Sequence, residues 1–398
     1  MKRHLAPLLV LALVLSSIAL VPVYAAPQAE AALSYVEANR DAIVRDWIEL
    51  VQIPGKSTKE QKRVEWIREK FEEVGLLDVK VDEMGNVTGF IAGAPEGPTV
   101  LFAAHMDTVF ENDTDLTPTI KDGRLHCPGS GDDTPSVVGL IWLAKALKET
   151  GTRTNANLIL AATVQEEIGL KGMAYLMDHI DRKVDMVVAV DGGLGGVTAG
   201  ALGIKWVKAI FTTPSGHTLS SMGKPSAAKT LGVALGKVYE FQVEQDPRIH
   251  LNCGVLGGGT VPNAICGEAW MTIDMRSQDG AALSKLSDNV FAALRAAAAE
   301  TGATFTYEMM NDIPAGVLPG AAEHKLTTTA VEVLRELGFN PTVGFAGATD
   351  ANVGIAKGIH SINIGMTKSS GGHSFEESSE IESIHTGMKQ LIMLATRL

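Results

Sequence analysis

The sequence predicts an α/β fold, a mostly parallel sheet with helices on both faces, interrupted by an inserted ferredoxin-like α+β module. Three observations predict it. Short, almost wholly apolar runs at Thr99–Ala104, Ala156–Val164 and Met186–Val190 read as strands covered on both faces, the pattern of parallel sheets. Segments of helical periodicity alternate with them, as crossover connections require. Between about Gly203 and Ile313 the alternation gives way to a strand–helix–strand–strand–helix–strand order, and after Pro314 it resumes.

The chain has 398 residues, enough for roughly two cores, and at 45% hydrophobic and 20% charged it carries no disordered bias. Its organisation reads as residues 1–25, 26–202, 203–313 and 314–398. Met1–Ala25 starts with Lys2, Arg3 and His4, continues through an apolar stretch at Leu8–Ala19 broken only by Ser16 and Ser17, and ends at Val23-Tyr24-Ala25. That is a cleavable signal peptide, so export to the periplasm or the exterior is expected. Loss of Lys2 and Arg3 takes the net charge from −12 to −14, and with no Lys/Arg cluster a nucleic-acid partner is excluded. No later run approaches the ~18 apolar residues of a membrane span. Three cysteines exclude a disulfide scaffold; a Cys253–Cys266 bridge stays open, and nothing around Cys127 suggests a nucleophile.

In chain order, Ala32–Gln52 has apolar residues at helical spacing and stops at Pro54-Gly55. Thr58–Val74 reads as a second amphipathic helix ended by Gly75. Strands follow at Val79–Asp82, Val87–Ile91 and Thr99–Ala104. Thr134-Pro135 opens a helix to Glu149, with Pro where a missing N–H costs nothing and Asp132 and Asp133 where the helix dipole favours negative charge. The strand at Ala156–Val164, a helix around Leu170–His179 and the strand Met186–Val190 complete the first part. The inserted module reads as strand Ile204–Thr212, helix Ser226–Gln242, strands Ile249–Leu256 and Ala264–Arg276, helix Gly280–Glu300 and strand Ala303–Met309. Helix Ala321–Gly338, strand Ser361–Gly365 and helix Ser383–Arg397 close the chain.

Open α/β sheets bind ligands outside the carboxyl ends of their strands. His105 and Asp107 follow one predicted strand, Glu166 and Glu167 the next, and Asp191 a third. His373 follows the last strand in a Gly-rich loop, and Asp132 and Asp133 stand at a helix start between two strands. Each taken alone is an ordinary cap, turn or loop residue. Together, two imidazoles and several carboxylates gathered at one sheet edge match the ligands of two divalent ions, zinc above all. Two such ions activate water and polarise a carbonyl, and a carboxylate one residue from a ligand is near enough to move the proton.

His105-Met106-Asp107-Thr108-Val109, Gly129-Ser130-Gly131-Asp132-Asp133, Glu166-Glu167-Ile168-Gly169, Asp191-Gly192 and Gly372-His373 occur in the order seen in the di-zinc exopeptidases. The chain resembles that family, which holds peptidase T, glutamate carboxypeptidase, acetylornithine deacetylase and aminoacylase, over nearly its whole mature length. The resemblance implies that Asp132 bridges two zinc ions and joins Asp133 by a non-proline cis peptide. It implies that His105 and Asp191 complete one site, and Glu167 and His373 the other. Glu166 is then the general base that takes the proton of the water bridging the metals, and Asp107 orients His105. The inserted module becomes a lid through which a homodimer forms. In it, His217 of Ser215-Gly216-His217-Thr218 reaches the partner's site to stabilise an oxyanion. Asn263 and Arg276 hold a substrate carboxylate, and Gly347-Ala348-Thr349-Asp350-Ala351 shapes the substrate pocket.

The chain departs from the family at Thr134-Pro135-Ser136, where Lys-Gly-Gly is usual, at His217-Thr218-Leu219, where His-Ala-Ser is usual, and at His373-Ser374-Phe375-Glu376-Glu377, where His-x-x-Asn-Glu is usual. No ligand is lost, but each departure touches the pocket. The expected activity is hydrolysis of short peptides next to a free terminus. An N-acyl amino-acid deacylase and an exported solute-binding protein are the alternatives. A Ser-hydrolase elbow and a complete dinucleotide fingerprint are both missing.

Overall fold

The computed structural model describes residues 26–241 and 248–398; the predicted signal peptide, Met1–Ala25, lies outside the described residues. Eight strands form the main sheet, in the spatial order Leu77–Val81, Val87–Ile91, Asn157–Thr163, Thr99–His105, Met186–Val190, His360–Ile364, Val197–Thr198 and Val343–Gly344. The central four, from Asn157–Thr163 to His360–Ile364, run parallel, and the strands at Leu77 and Val87 join antiparallel at one edge. The apolar runs are continuous because both faces are covered. Val100, Phe102 and Ala104 pack beneath helices Thr134–Thr150 and Ile381–Arg397, while Leu101 and Ala103 pack against Met173 and Leu176 of helix Lys171–His179. Helix Thr134–Thr150 is buried without a break from Thr134 to Ala144, which explains its lack of a polar stripe.

The inserted module is a second antiparallel sheet, in the order Ile249–Gly258, Glu268–Ser277, Gly203–Thr212 and Thr304–Ile313. Helices Ala227–Tyr239 and Gly280–Thr301 cover one face around a separate core that includes Val207, Phe211, Met271 and Leu294. This is the ferredoxin-like arrangement that the element order predicts. Among the described residues no helix is long and apolar enough to cross a membrane, and all three cysteines are free, so the Cys253–Cys266 bridge is not made.

Several boundaries differ from the sequence reading. Ala32–Gln52 is not one helix but the end of Ala26–Ala38 and then Arg40–Val51, broken at Asn39. The Asn39 amide donates to the Tyr35 carbonyl, the local competition that makes Asn a poor helix-interior residue. The second helix starts at Gln61 rather than Thr58, because Thr58 takes a left-handed conformation with its N–H on the Glu60 carboxylate. Ala264–Arg276 splits in two: Ala264–Ile265 pairs with Gly216–His217 in a small ribbon, and Glu268–Ser277 enters the sheet. A four-stranded sheet of Thr119–Lys121, Arg124–His126, Ser378–Glu380 and Ser369–Ser370 has no counterpart in the reading, since strands this short and polar leave no periodicity.

Candidate metal centre

The parallel strands deliver their carboxyl ends to one rim, and the side chains that follow them line a cavity of about 410 Å³. His105, Asp132, Glu166, Glu167, Asp191 and His373 all face it, alongside the small residues Gly192, Gly193 and Ala348. Asp132 stands between the two imidazoles. Its Oδ1 lies 2.8 Å from His105 Nε2 and its Oδ2 3.1 Å from His373 Nε2. His373 Nε2 is also 3.0 Å from Glu167 Oε2. The peptide joining Asp132 to Asp133 is cis.

Asp107 works behind this layer. It is fully buried, its backbone carbonyl lies 3.1 Å from His105 Nδ1, and its Oδ1 accepts the Glu166 N–H at 3.0 Å. Its Oδ2 accepts the Ser57 hydroxyl at 2.6 Å and the Glu167 N–H at 3.3 Å. One residue therefore ties an imidazole on one strand, through its backbone carbonyl, to the glutamate pair after the next, through its carboxylate. Ser57 is absent from the sequence reading because nothing in the loop after Pro54-Gly55 marks it. It arrives through backbone pairing of Gly55 and Ser57 with Thr108.

The electrostatics follow from crowding acids out of water. Burial, together with Asp191, Asp350 and Glu167 nearby, drives the Glu166 carboxyl well above the usual carboxylate range, against the pull of His105. Burial likewise pushes Asp191 up to about 7 and Asp350 up to about 6. Burial would raise Asp132 too, but His105 and His373 hold it below its ordinary value. Hydrogen bonds to Asp132 and Glu167 raise His373 to about 10.

Do these residues fit metal ions? Donor atoms of His105, Asp132 and Glu167 lie within 4.8 Å of one another, and so do those of His105, Asp133 and Asp191. Both Asp133 oxygens and Glu167 Oε1 are buried without a hydrogen-bond partner among the described residues. Orphaned carboxylate oxygens are costly unless a cation satisfies them, so the donor set fits two cations sharing His105's neighbourhood. The sequence places Asp133 with Asp132 at the helix start and among the acids of the rim, without a ligand role in the resemblance; the fold turns its side chain into the same cluster.

The remaining candidates lie elsewhere. Asp350 is buried, with Oδ2 accepting from Thr163 Oγ1 at 2.6 Å, close enough to Glu166 and Asp191 that its charge raises both. His217 and Asn263 are exposed neighbours on the lid ribbon, where the Thr218 N–H meets the Asn263 carbonyl. Arg276 lines a separate cavity of about 450 Å³ with Arg248, His250 and Ala346, its Nε 3.0 Å from both oxygens of Asp274. None of these three lines the metal cavity.

Comparison with known proteins agrees with this geometry. Over 343 residues (82% of this chain and 91% of the relative) the chain is 24% identical to the uncharacterized protein YqjE of Bacillus subtilis. Its fold superposes on a tripeptidase from Staphylococcus aureus with a TM-score of 0.76 at 23% identity, covering 90% of this chain and 98% of the other. On Bacillus subtilis YxeP, described as a dinuclear metal binding peptidase, the TM-score is 0.67 at 16% identity, with 90% and 98% covered. The sequence model for peptidase family M20/M25/M40 matches residues 101–397, a span that takes in every strand end on the cavity rim. This chain therefore belongs to peptidase family M20/M25/M40, and it is a metallo-hydrolase of amide bonds.

Proposed function

We propose that this protein is an exported di-zinc exopeptidase that hydrolyses short peptides beside a free terminus. One observation carries the reading: a single carboxylate, Asp132, presents one oxygen to each of two imidazoles, with the buried Glu166 in the same cavity. The bound ions supply Lewis acidity toward the scissile carbonyl and make water acidic near neutral pH. His105, Asp132 and Asp191 would hold one of them, and Asp132, Glu167 and His373 would hold the other. Glu166 takes the proton from the attacking water and returns it to the leaving amine. Asp107 keeps His105 and the Glu166–Glu167 backbone in register.

The lid residues act on the substrate once it is enclosed. Arg276 and Asn263 bind its carboxylate, and His217 stabilises the developing oxyanion from a partner subunit. The outer lid strand, Ile249–Gly258, supports dimerisation: it has one sheet neighbour and carries the exposed Val255 and Leu256.

The deciding experiment is a substrate profile of the mature chain (residues 26–398) with added zinc. Di- and tripeptides with free termini are expected to be cleaved, activity to vanish with a chelator and to return with zinc. Cleavage of N-acyl amino acids alone would move the reading to a deacylase. Indifference to the chelator, or undiminished turnover in Glu166→Gln, would overturn it. Fractionation of expressing cells tests export, with the processed chain expected outside the cytoplasm.

A further inference from the structure

The loop that carries Asp132 is held by a carboxylate outside the ligand set. Glu377 is 1% exposed, and its side chain accepts three backbone N–H groups: Gly129 on Oε2 at 2.8 Å, Gly131 on Oε1 at 2.6 Å and Asp132 on Oε1 at 2.9 Å. Its own carbonyl accepts the Cys127 N–H at 3.2 Å, and Ser378 beyond it pairs with His126. The whole turn from Cys127 to Asp132 is thus laid on one residue about 245 positions away in sequence. The fit is close. A Cβ on Gly131 would stand 2.4 Å from Ser369 Cβ and 3.1 Å from Glu377 Oε1, so only glycine passes there.

Glu377 also ends the turn that starts at Gly371 and carries His373. One short segment therefore supplies an imidazole to the centre at its start and clamps the loop of the shared carboxylate at its end. A buried carboxylate is tolerated where several N–H groups solvate it, and such charge-assisted bonds are short and directional. Nearby, Arg63 is buried in full, with its guanidinium on the Met106 and Ile53 carbonyls, and adds positive charge to this side of the cluster.

We propose that Glu377 is a positioning residue which fixes Asp132 against His373, so that two ligands from distant parts of the chain meet the same cation. The proposal rests on the reading of the centre as a metal site. It needs neither Glu376 nor Phe375, which are exposed on the same loop.

The test is calorimetric titration of zinc into the chelator-treated mature chain, for wild type, Glu377→Gln, Glu377→Asp and the exposed control Glu376→Gln. Gln keeps the size of Glu377 but turns an amide N–H toward an N–H donor; Asp keeps both acceptors on a shorter stem. Zinc affinity is expected to fall about 10- to 100-fold in both Glu377 variants, the usual size for groups that orient metal ligands. It should be unchanged in Glu376→Gln. Melting curves separate positioning from bulk stability. Positioning shrinks the rise in Tm that zinc produces, whereas a merely structural residue lowers metal-free and zinc-loaded Tm together and leaves affinity alone. A folded Glu377 variant of either kind that binds two zinc ions with wild-type affinity overturns the proposal. Wild type that binds no zinc overturns the metal reading itself, a different outcome read in the first titration.

Discussion

The rim of the main sheet and the ribbon of the lid both carry residues that the sequence marks as functional, yet they are built in opposite ways. At the rim, His105, Asp107 and Glu166 are buried, and Asp107 alone makes four contacts with Ser57, His105, Glu166 and Glu167. On the lid, His217 and Asn263 are exposed on a two-stranded ribbon, and Arg276 is tied to Asp274 beside another cavity. The difference teaches where precision is needed. Groups proposed to share cations need close placement: His105 and Glu166 get it at the ends of packed strands, while Asp132 and the half-exposed His373 get it from loops tied back by hydrogen bonds. Groups proposed to meet a substrate only after it arrives can stand on an exposed element.

That contrast can be broken from the rim first. Glu166→Gln removes the proton carrier while keeping shape, so kcat is expected to fall about 10²- to 10⁴-fold with both metals still bound. Steady-state kinetics beside metal analysis reads this, and lost metal in the variant would recast Glu166 as a ligand. One layer back, Asp107→Asn keeps an acceptor but cannot serve two backbone N–H groups and a hydroxyl as a carboxylate does. Zinc affinity is expected to weaken about 10- to 100-fold, followed by competition with a chromogenic chelator.

The lid answers in a different observable. Leu256→Asp on the exposed outer strand is expected to turn the proposed dimer into monomer in light scattering, with the stability of the chain moving by no more than about 0.5 kcal/mol. A dimer that persists would place the interface elsewhere.

The smallest effect lies far from both regions, where His324 and His360 stack at 3.8 Å. Burial, and then the neighbouring imidazole, lowers the His324 pKa from its ordinary 6.5. The unfolded chain therefore binds a proton on His324 more readily than the folded one. This group's contribution to stability is intact above pH 6.5 and is lost as pH falls from there through the lower folded-state pKa. His324→Phe keeps a ring in the stack without the proton, so its Tm relative to wild type should rise as pH drops below that point and stay flat above it. A difference independent of pH would remove His324 from the account.

Much of this molecule was legible in order. The buried strands announced themselves because a strand covered on both faces has no polar alternation, and Thr99–His105, Asn157–Thr163 and Met186–Val190 fall where the apolar runs lie. The rim residues were legible because parallel strands end at one edge, so the polar residues after them are gathered whatever the loops do. The polar sheet around Ser378–Glu380 was not, nor were Ser57 and Glu377 as supports, since their side chains meet partners that only the fold brings near: the Asp107 carboxylate for the Ser57 hydroxyl, and the Gly129, Gly131 and Asp132 N–H groups for the Glu377 carboxylate.

By itself, then, the sequence determined the class of fold, the inserted module and the chemical character of the rim, because periodicity and side-chain type are local properties. Only the tertiary structure decided that Asp132 faces both imidazoles, that Asp133 turns its unpartnered oxygens inward and that Glu377 holds the loop between them. Those facts depend on which distant groups the closed sheets bring together, side chains at the rim and backbone N–H groups in the loop, and that is set by packing, not by any single stretch of chain.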